Sequence, residues 1–79
     1  MLVNESFSLL NENIGKKLKQ LRKERGITTK VLGRYIGVSQ QQISRYELGI
    51  NHINIDALAK FSELFQVPIS SFTHYLKNE

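Results

Sequence analysis

Between Ile36 and Gln40 the chain has only Gly37, Val38 and Ser39 in which to end one helical pattern and begin another. Upstream, Leu32 and Ile36 form an apolar i, i+4 pair on a short helix that Thr28 can cap and Gly37 can end. Downstream, Ser39 can cap a further helix that carries Ile43, Tyr46 and Glu47 on one side and ends at Gly49. Two residues before a cap are too few for an antiparallel helical hairpin. They suit two short helices that cross steeply through a tight turn.

The flanking segments repeat the helical period. In NENIGKKLKQLRKERG, Ile14, Leu18, Leu21 and Arg25 share a face, and Gly26 supplies a left-handed stop. After the loop INHI, Asn54 caps a helix bearing Ile55, Leu58, Phe61, Leu64 and Phe65. Pro68 then opens a short last helix with Ile69, Phe72 and Leu76. The first ten residues allow two readings, because Phe7, Leu9 and Leu10 either extend the first helix or form an arm. Strand-like alternation, internal repeats and Pro/Ser linkers are absent, and 79 residues suffice for one domain. The expectation is an all-α, five-helix domain over residues 11–76, with 1–10 as N-terminal arm or helix extension and 77–79 as a tail.

The chain holds no cysteine, so neither disulfides nor thiolate metal ligands enter, and a reducing interior suits it. No apolar run is long enough to span a membrane, and MLVNESFSLL lacks the basic start of a secretory signal. A cytoplasmic protein is the expectation. The net charge of +4 is unevenly spread. From Ile14 to Glu47, nine basic residues face only Glu24 and Glu47, a segment charge of +7, while the flanks together carry −3. A basic half of this kind fits a polyanion, although a solvated charged face has the same composition.

The stretch VSQQQISRYELG brings that charge to a recognisable chemistry. With Ser39 at the cap, Gln42 falls at the third helical position, and the two form an S-x-x-Q capping box. Ile43 and Tyr46 turn toward the core. At about 100° per residue, the opposite face collects Gln40, Gln41, Ser44, Arg45 and Leu48. A glutamine amide matches the N6/N7 edge of adenine, and an arginine fork matches O6/N7 of guanine. Recognition helices touch bases chiefly with their N-terminal residues, where the glutamines stand. Glu47 lies on the inward side, where a carboxylate is costly unless paired, and the first helix offers Arg22 and Arg25 as partners.

These residues resemble the helix–turn–helix domain of the phage repressor and Cro family, the XRE-type regulators. The family pattern I-G-x-x-[IL]-[KR]-x-L-R … G-V-S-x-x-x-I-S-x-[YW]-E-x-G is met by IGKKLKQLRKERGITTKVLGRYIGVSQQQISRYELG, residues 14–49. NINIDALAKFSELFQVPISSF continues the likeness without a gap. The resemblance implies a lambda-repressor-like fold and binding of double-stranded DNA as a homodimer on a pseudo-palindromic operator. It implies that Gln40, Gln41, Ser44 and Arg45 contact bases and that Arg22 is the partner of Glu47. It places Thr28, Thr29 and the loop from Asn51 through His52 to Asn54 at phosphates, with Lys30, Arg34 and Ser39 as further candidates. Leu48, Ile50, Phe72, Tyr75 and Leu76 are candidates for the dimer contact.

Three positions depart from the pattern. Thr29 stands where glutamine is usual, Gly33 where alanine is usual, and the loop after Gly49 reads Ile50, Asn51, His52 where lysine or arginine is common. A glycine inside a helix costs up to about 1 kcal/mol unless close packing requires it. Apolar Leu48 and Ile50 are also unusual there.

Other chemistries find little support. His52 and His74 are isolated, so no metal site is expected, and no cofactor either. The serines have no histidine and aspartate arrangement around them, and there is no glycine-rich phosphate loop, so the chain is not read as an enzyme. The alternatives on the same fold are the antitoxin of a toxin–antitoxin pair, whose protein partner would be the toxin, and a protein-interaction module that has kept the fold without DNA binding.

Overall fold

A computed structural model describes the backbone of residues 2–73 and the side chains of residues 9–73. Those residues form five helices: α1 (Leu2–Glu24), α2 (Thr29–Ile36), α3 (Gln40–Leu48), α4 (Ile55–Phe65) and α5 (Ser70–Thr73). No strand occurs among them. The first ten residues do not form a separate arm where described: α1 runs unbroken from Leu2, as expected of a stretch without glycine or proline before Gly15.

The helix starts follow from side-chain caps. Thr28, Ser39 and Asn54 sit in extended conformation, and each side-chain oxygen accepts a backbone N–H three residues on: Val31 at 3.1 Å, Gln42 at 3.0 Å and Ala57 at 2.8 Å. The helix ends follow from left-handed residues. At the turn between α2 and α3, Gly37 adopts φ 88°, and the N–H groups of Gly37 and Val38 both donate to the Gly33 carbonyl at 2.7 and 2.9 Å. The turn thereby folds back onto α2. A Cβ at position 33 would lie 2.6 Å from the Val38 carbonyl oxygen, which accounts for glycine there in a helix interior.

α1 packs against α3 and α5, and α2 packs against α3 and α4. Between them lies a core of Ile14, Leu18, Leu21, Leu32, Ile36, Ile43, Tyr46, Ala57, Leu58, Phe61, Phe65 and Phe72. Phe61 is its aromatic centre, edge-on to Tyr46 at 6.1 Å and stacked with Phe65 at 6.5 Å between ring centroids. Each such side chain contributes about 1.5–3 kcal/mol by leaving water.

Three expectations need correction. Ile55 does not join the buried face of α4; it is 67% exposed, standing on the first turn at the edge of the stripe that Ala57, Leu58, Phe61 and Phe65 bury. The last helix does not open at Pro68 itself. Its first turn is entered through tight bonds from Ser71 to the Pro68 carbonyl and from Phe72 to that of Ile69, and the helix proper begins at Ser70. Phe72 is not available to a second copy of the chain, since its ring is fully buried against the rest of the core. Tyr75 and Leu76, the other dimer candidates of that segment, lie outside the described residues, as does the tail 77–79.

Candidate nucleic-acid interface

α3 is held from its inner side. Ile43 is fully buried, Tyr46 packs on Phe61, and Glu47 meets Arg22 of α1 in a forked ion pair. Arg22 Nε donates to Glu47 Oε2 at 2.6 Å and Nη2 donates to Oε1 at 3.0 Å, while Nη1 donates to the Ile27 carbonyl at 2.9 Å. The hydrogen bond to Glu47 raises the Arg22 guanidinium above its ordinary value, with the Coulomb attraction adding and burial opposing. A raised folded-state value means that this contribution is present below the unfolded arginine value and lost only as pH rises through the higher one. Arg22 therefore gives the fold no pH sensitivity near neutrality.

Arg25, the other cation that the first helix offered to Glu47, turns elsewhere. Its Nη2 donates to the Phe65 carbonyl at 2.6 Å, and its guanidinium stands 5.0 Å over the Phe65 ring. It ties the end of α1 to the end of α4.

With the inner side thus occupied, the outer side of α3 presents Gln40, Gln41 and Arg45 to solvent. Ser44 is half-buried and lines a groove of about 270 Å³ with Lys19, Arg22, Thr29, Glu47 and Leu48. Among the described residues the three exposed groups have no side-chain partner, and they form a set of donors and acceptors on a rigid support, the arrangement that base-edge reading needs.

Of the phosphate candidates, Thr28, Lys30, Arg34, Ser39, His52 and Asn54 are exposed, and Thr29 and Asn51 are half-buried. Capping does not exhaust the three cap residues. Thr28, Ser39 and Asn54 use an oxygen lone pair for the cap, which leaves the hydroxyl protons and the Asn54 amide protons to donate. Neither α2 nor α3 has an acidic residue in its first turn, so neither helix offsets the partial positive charge of its own N-terminus.

The expected capping box forms by half. Ser39 accepts from the Gln42 N–H, but the Gln42 side chain reaches forward and donates through Nε2 to Asn51 Oδ1 at 3.3 Å. The helix period cannot signal this contact, because Asn51 lies in the loop beyond Gly49. Leu48 and Ile50 stand 65% and 58% exposed. Among the described residues, no group of histidines, cysteines or carboxylates could hold a metal ion, and no helix is long and apolar enough to cross a membrane.

Comparison with known proteins places this geometry. The helix-turn-helix family model matches residues 18–72, which takes in the end of α1 and all of α2 to α4. An uncharacterized HTH-type transcriptional regulator of Sinorhizobium medicae is 32% identical over 60 residues, 76% of this chain and 43% of that protein. One of Rickettsia conorii is 32% identical over 69 residues, 87% of this chain and 55% of its own length. An uncharacterized transcriptional regulator in the ATPase CF(0) region of Rhodospirillum rubrum is 35% identical over 63 residues, covering 80% of this chain and 58% of that protein. The chain spans 18% to 58% of the length of the curated relatives it matches.

Proposed function

The chain belongs to the XRE-type helix-turn-helix family of DNA-binding transcriptional regulators, and on that premise we propose that it reads a specific duplex sequence as a homodimer and represses by occupying promoter DNA. It acts without catalysis or cofactor, in the cytoplasm beside its DNA. The observation that carries this reading is the row Gln40, Gln41 and Arg45, exposed on the outside of a helix whose inside is pinned by Ile43, Tyr46 and the Arg22–Glu47 pair. Ser44 belongs to the same reading face from within its groove.

The remaining roles follow from charge and position. Exposed Lys30 and Arg34 on α2 supply phosphate attraction that is independent of sequence. Thr28, Thr29, Ser39, Asn51, His52 and Asn54 supply hydrogen bonds that set the register of the helix on the duplex.

Selection of bound duplexes from a random pool at near-physiological salt tests the whole reading. The expected product is an inverted repeat whose half-sites lie about one helical turn apart. On that operator, Gln41→Ala or Arg45→Ala costs about 1–3 kcal/mol of binding and relaxes the preference at one base pair. Lys30→Ala instead weakens binding to all sequences and lowers the salt slope by about one. Recovery of sequence-blind binding alone would reduce the positive face to electrostatics.

Leu48 and Ile50 are the described candidates for the contact between copies, and exposed Ile55 adds apolar surface after the same loop. Ile50→Glu is expected to weaken self-association about tenfold or more in sedimentation equilibrium, with the fold intact, because the side chain is exposed in the single chain. An unchanged dimer constant for both Ile50→Glu and Leu48→Glu would move the interface elsewhere.

A further inference from the structure

Asn51 is a phosphate candidate whose amide is oriented by another side chain rather than by a helix cap. Its carbonyl oxygen accepts from Gln42 Nε2, so the half of the amide that remains free is the NH2 group. The loop that carries it is anchored just before it. Gly49 N donates to the Tyr46 carbonyl at 3.1 Å and Ile50 N to that of Arg45 at 3.0 Å. Gly49 also lies so close to α1 that a Cβ there would be 2.8 Å from the Glu12 Cα. Asn51 therefore follows a fixed turn, and Gln42 sits on the first turn of the helix that carries the reading face.

We propose that Gln42 is a positioning residue for DNA binding: by holding the Asn51 carbonyl oxygen, it aims the Asn51 amide protons at an acceptor on the duplex. The inference rests on the DNA-binding reading above and adds a residue that reads nothing itself. Phosphate oxygens accept hydrogen bonds and do not donate them, so only one of the two orientations of an asparagine amide is productive there. Left alone in water, Asn51 would sample both orientations and several rotamers, and binding would have to order it. With its Nε2 turned to Asn51, Gln42 favours that one orientation in the free protein and couples it to the placement of the helix that carries the reading face.

The same bond makes a chemical prediction at position 42. A glutamate there has the size of glutamine but no donor, so it can only accept. Asn51 must then turn its NH2 inward and present its oxygen to the phosphates, where two acceptors repel.

The test is a double-substitution cycle read as affinity for the selected operator at fixed salt. Gln42→Ala and Asn51→Ala are each expected to weaken binding about three- to tenfold, while the double variant is no weaker than either alone. Gln42→Glu is expected to weaken it further than Gln42→Ala, partly through its own charge beside the duplex, and only the share of that excess that runs through Asn51 disappears when position 51 is alanine. Thermal unfolding is measured on every variant, and the midpoints are expected to stay close to the parent's, since the Ser39 cap is made by the Gln42 backbone. Multiplying effects in the double variant would overturn the proposal, because a merely structural Gln42 weakens binding whether or not Asn51 is present. So would a Gln42→Ala protein with parental affinity. If the parent selects no sequence at all, the DNA-reading function itself fails, an outcome separate from either of these.

Discussion

Arg22→Met is expected to remove about 3–5 kcal/mol of folding stability, measured by urea unfolding followed by circular dichroism. The reason is what stays behind. Glu47 is 8% exposed, and its two carboxylate oxygens take the Arg22 fork at 2.6 and 3.0 Å. Methionine keeps the length and apolar body of the arginine stem but donates nothing, so the carboxylate remains inside with no counter-charge. A domain of 79 residues holds a margin of about 4–12 kcal/mol in all, so this one change takes much of it. Lysine is no rescue, since a single ammonium cannot match both oxygens and also reach the Ile27 carbonyl that Nη1 now serves. Glu47→Gln is expected to cost less, because a neutral amide can still accept from the guanidinium, which keeps its bond to Ile27. The double variant Arg22→Met/Glu47→Leu is expected to recover most of the loss, because no charge is then left unpaired. A loss below about 1 kcal/mol for Arg22→Met would mean that Glu47 escapes to solvent, and the pair would then be no anchor for α3.

The sequence carried the local features of this fold and few of the long-range ones. Thr28, Ser39 and Asn54 are readable as caps because a cap satisfies N–H groups only two or three residues away. Gly37 and Gly49 are readable as stops because left-handed backbone favours glycine. The end of α4 was not readable: Gln66 takes φ 60° there, and nothing about glutamine announces it. Arg22 and Arg25 both stand near the end of one amphipathic helix, and periodicity alone could not say which meets a glutamate more than twenty residues away. The family pattern named Arg22, and the geometry shows why Arg25 is unavailable, being engaged at Phe65. Phe72 shows the opposite failure. An apolar face on a terminal helix reads alike whether it closes the core or meets another chain, and here it closes the core. For the candidate site, the period of α3 separated Gln40, Gln41 and Arg45 from Ile43, Tyr46 and Glu47 correctly. It could not foresee that Gln42 would leave its own helix for Asn51.

The same contact between α1 and α3 makes Gly15→Val the second large effect. An added Cβ at position 15 would stand 2.4 Å from the Tyr46 carbonyl oxygen and 2.6 Å from that of Glu47, about an ångström inside ordinary contact distance. Both neighbours are backbone of α3, so no side chain can swing away to make room. Helix propensity pulls the other way, since almost any residue improves on glycine in a helix interior, valine by a few tenths of a kcal/mol. The steric effect is larger. Overpacking costs about 1–3 kcal/mol in ordinary cores. Here the separation it forces also stretches the Arg22–Glu47 fork, which bridges the same two helices. We expect Gly15→Val to lose about 3 kcal/mol in urea unfolding, and its operator affinity to fall even where the protein is fully folded, because α3 is displaced as a body. Lys16→Val on the exposed side of the same turn is the control, expected within about 0.5 kcal/mol of the parent. Equal stability of the two variants would show that α1 and α3 can part without cost. In that event, the close approach at Gly15 would not be what sets the height of the reading face above the core.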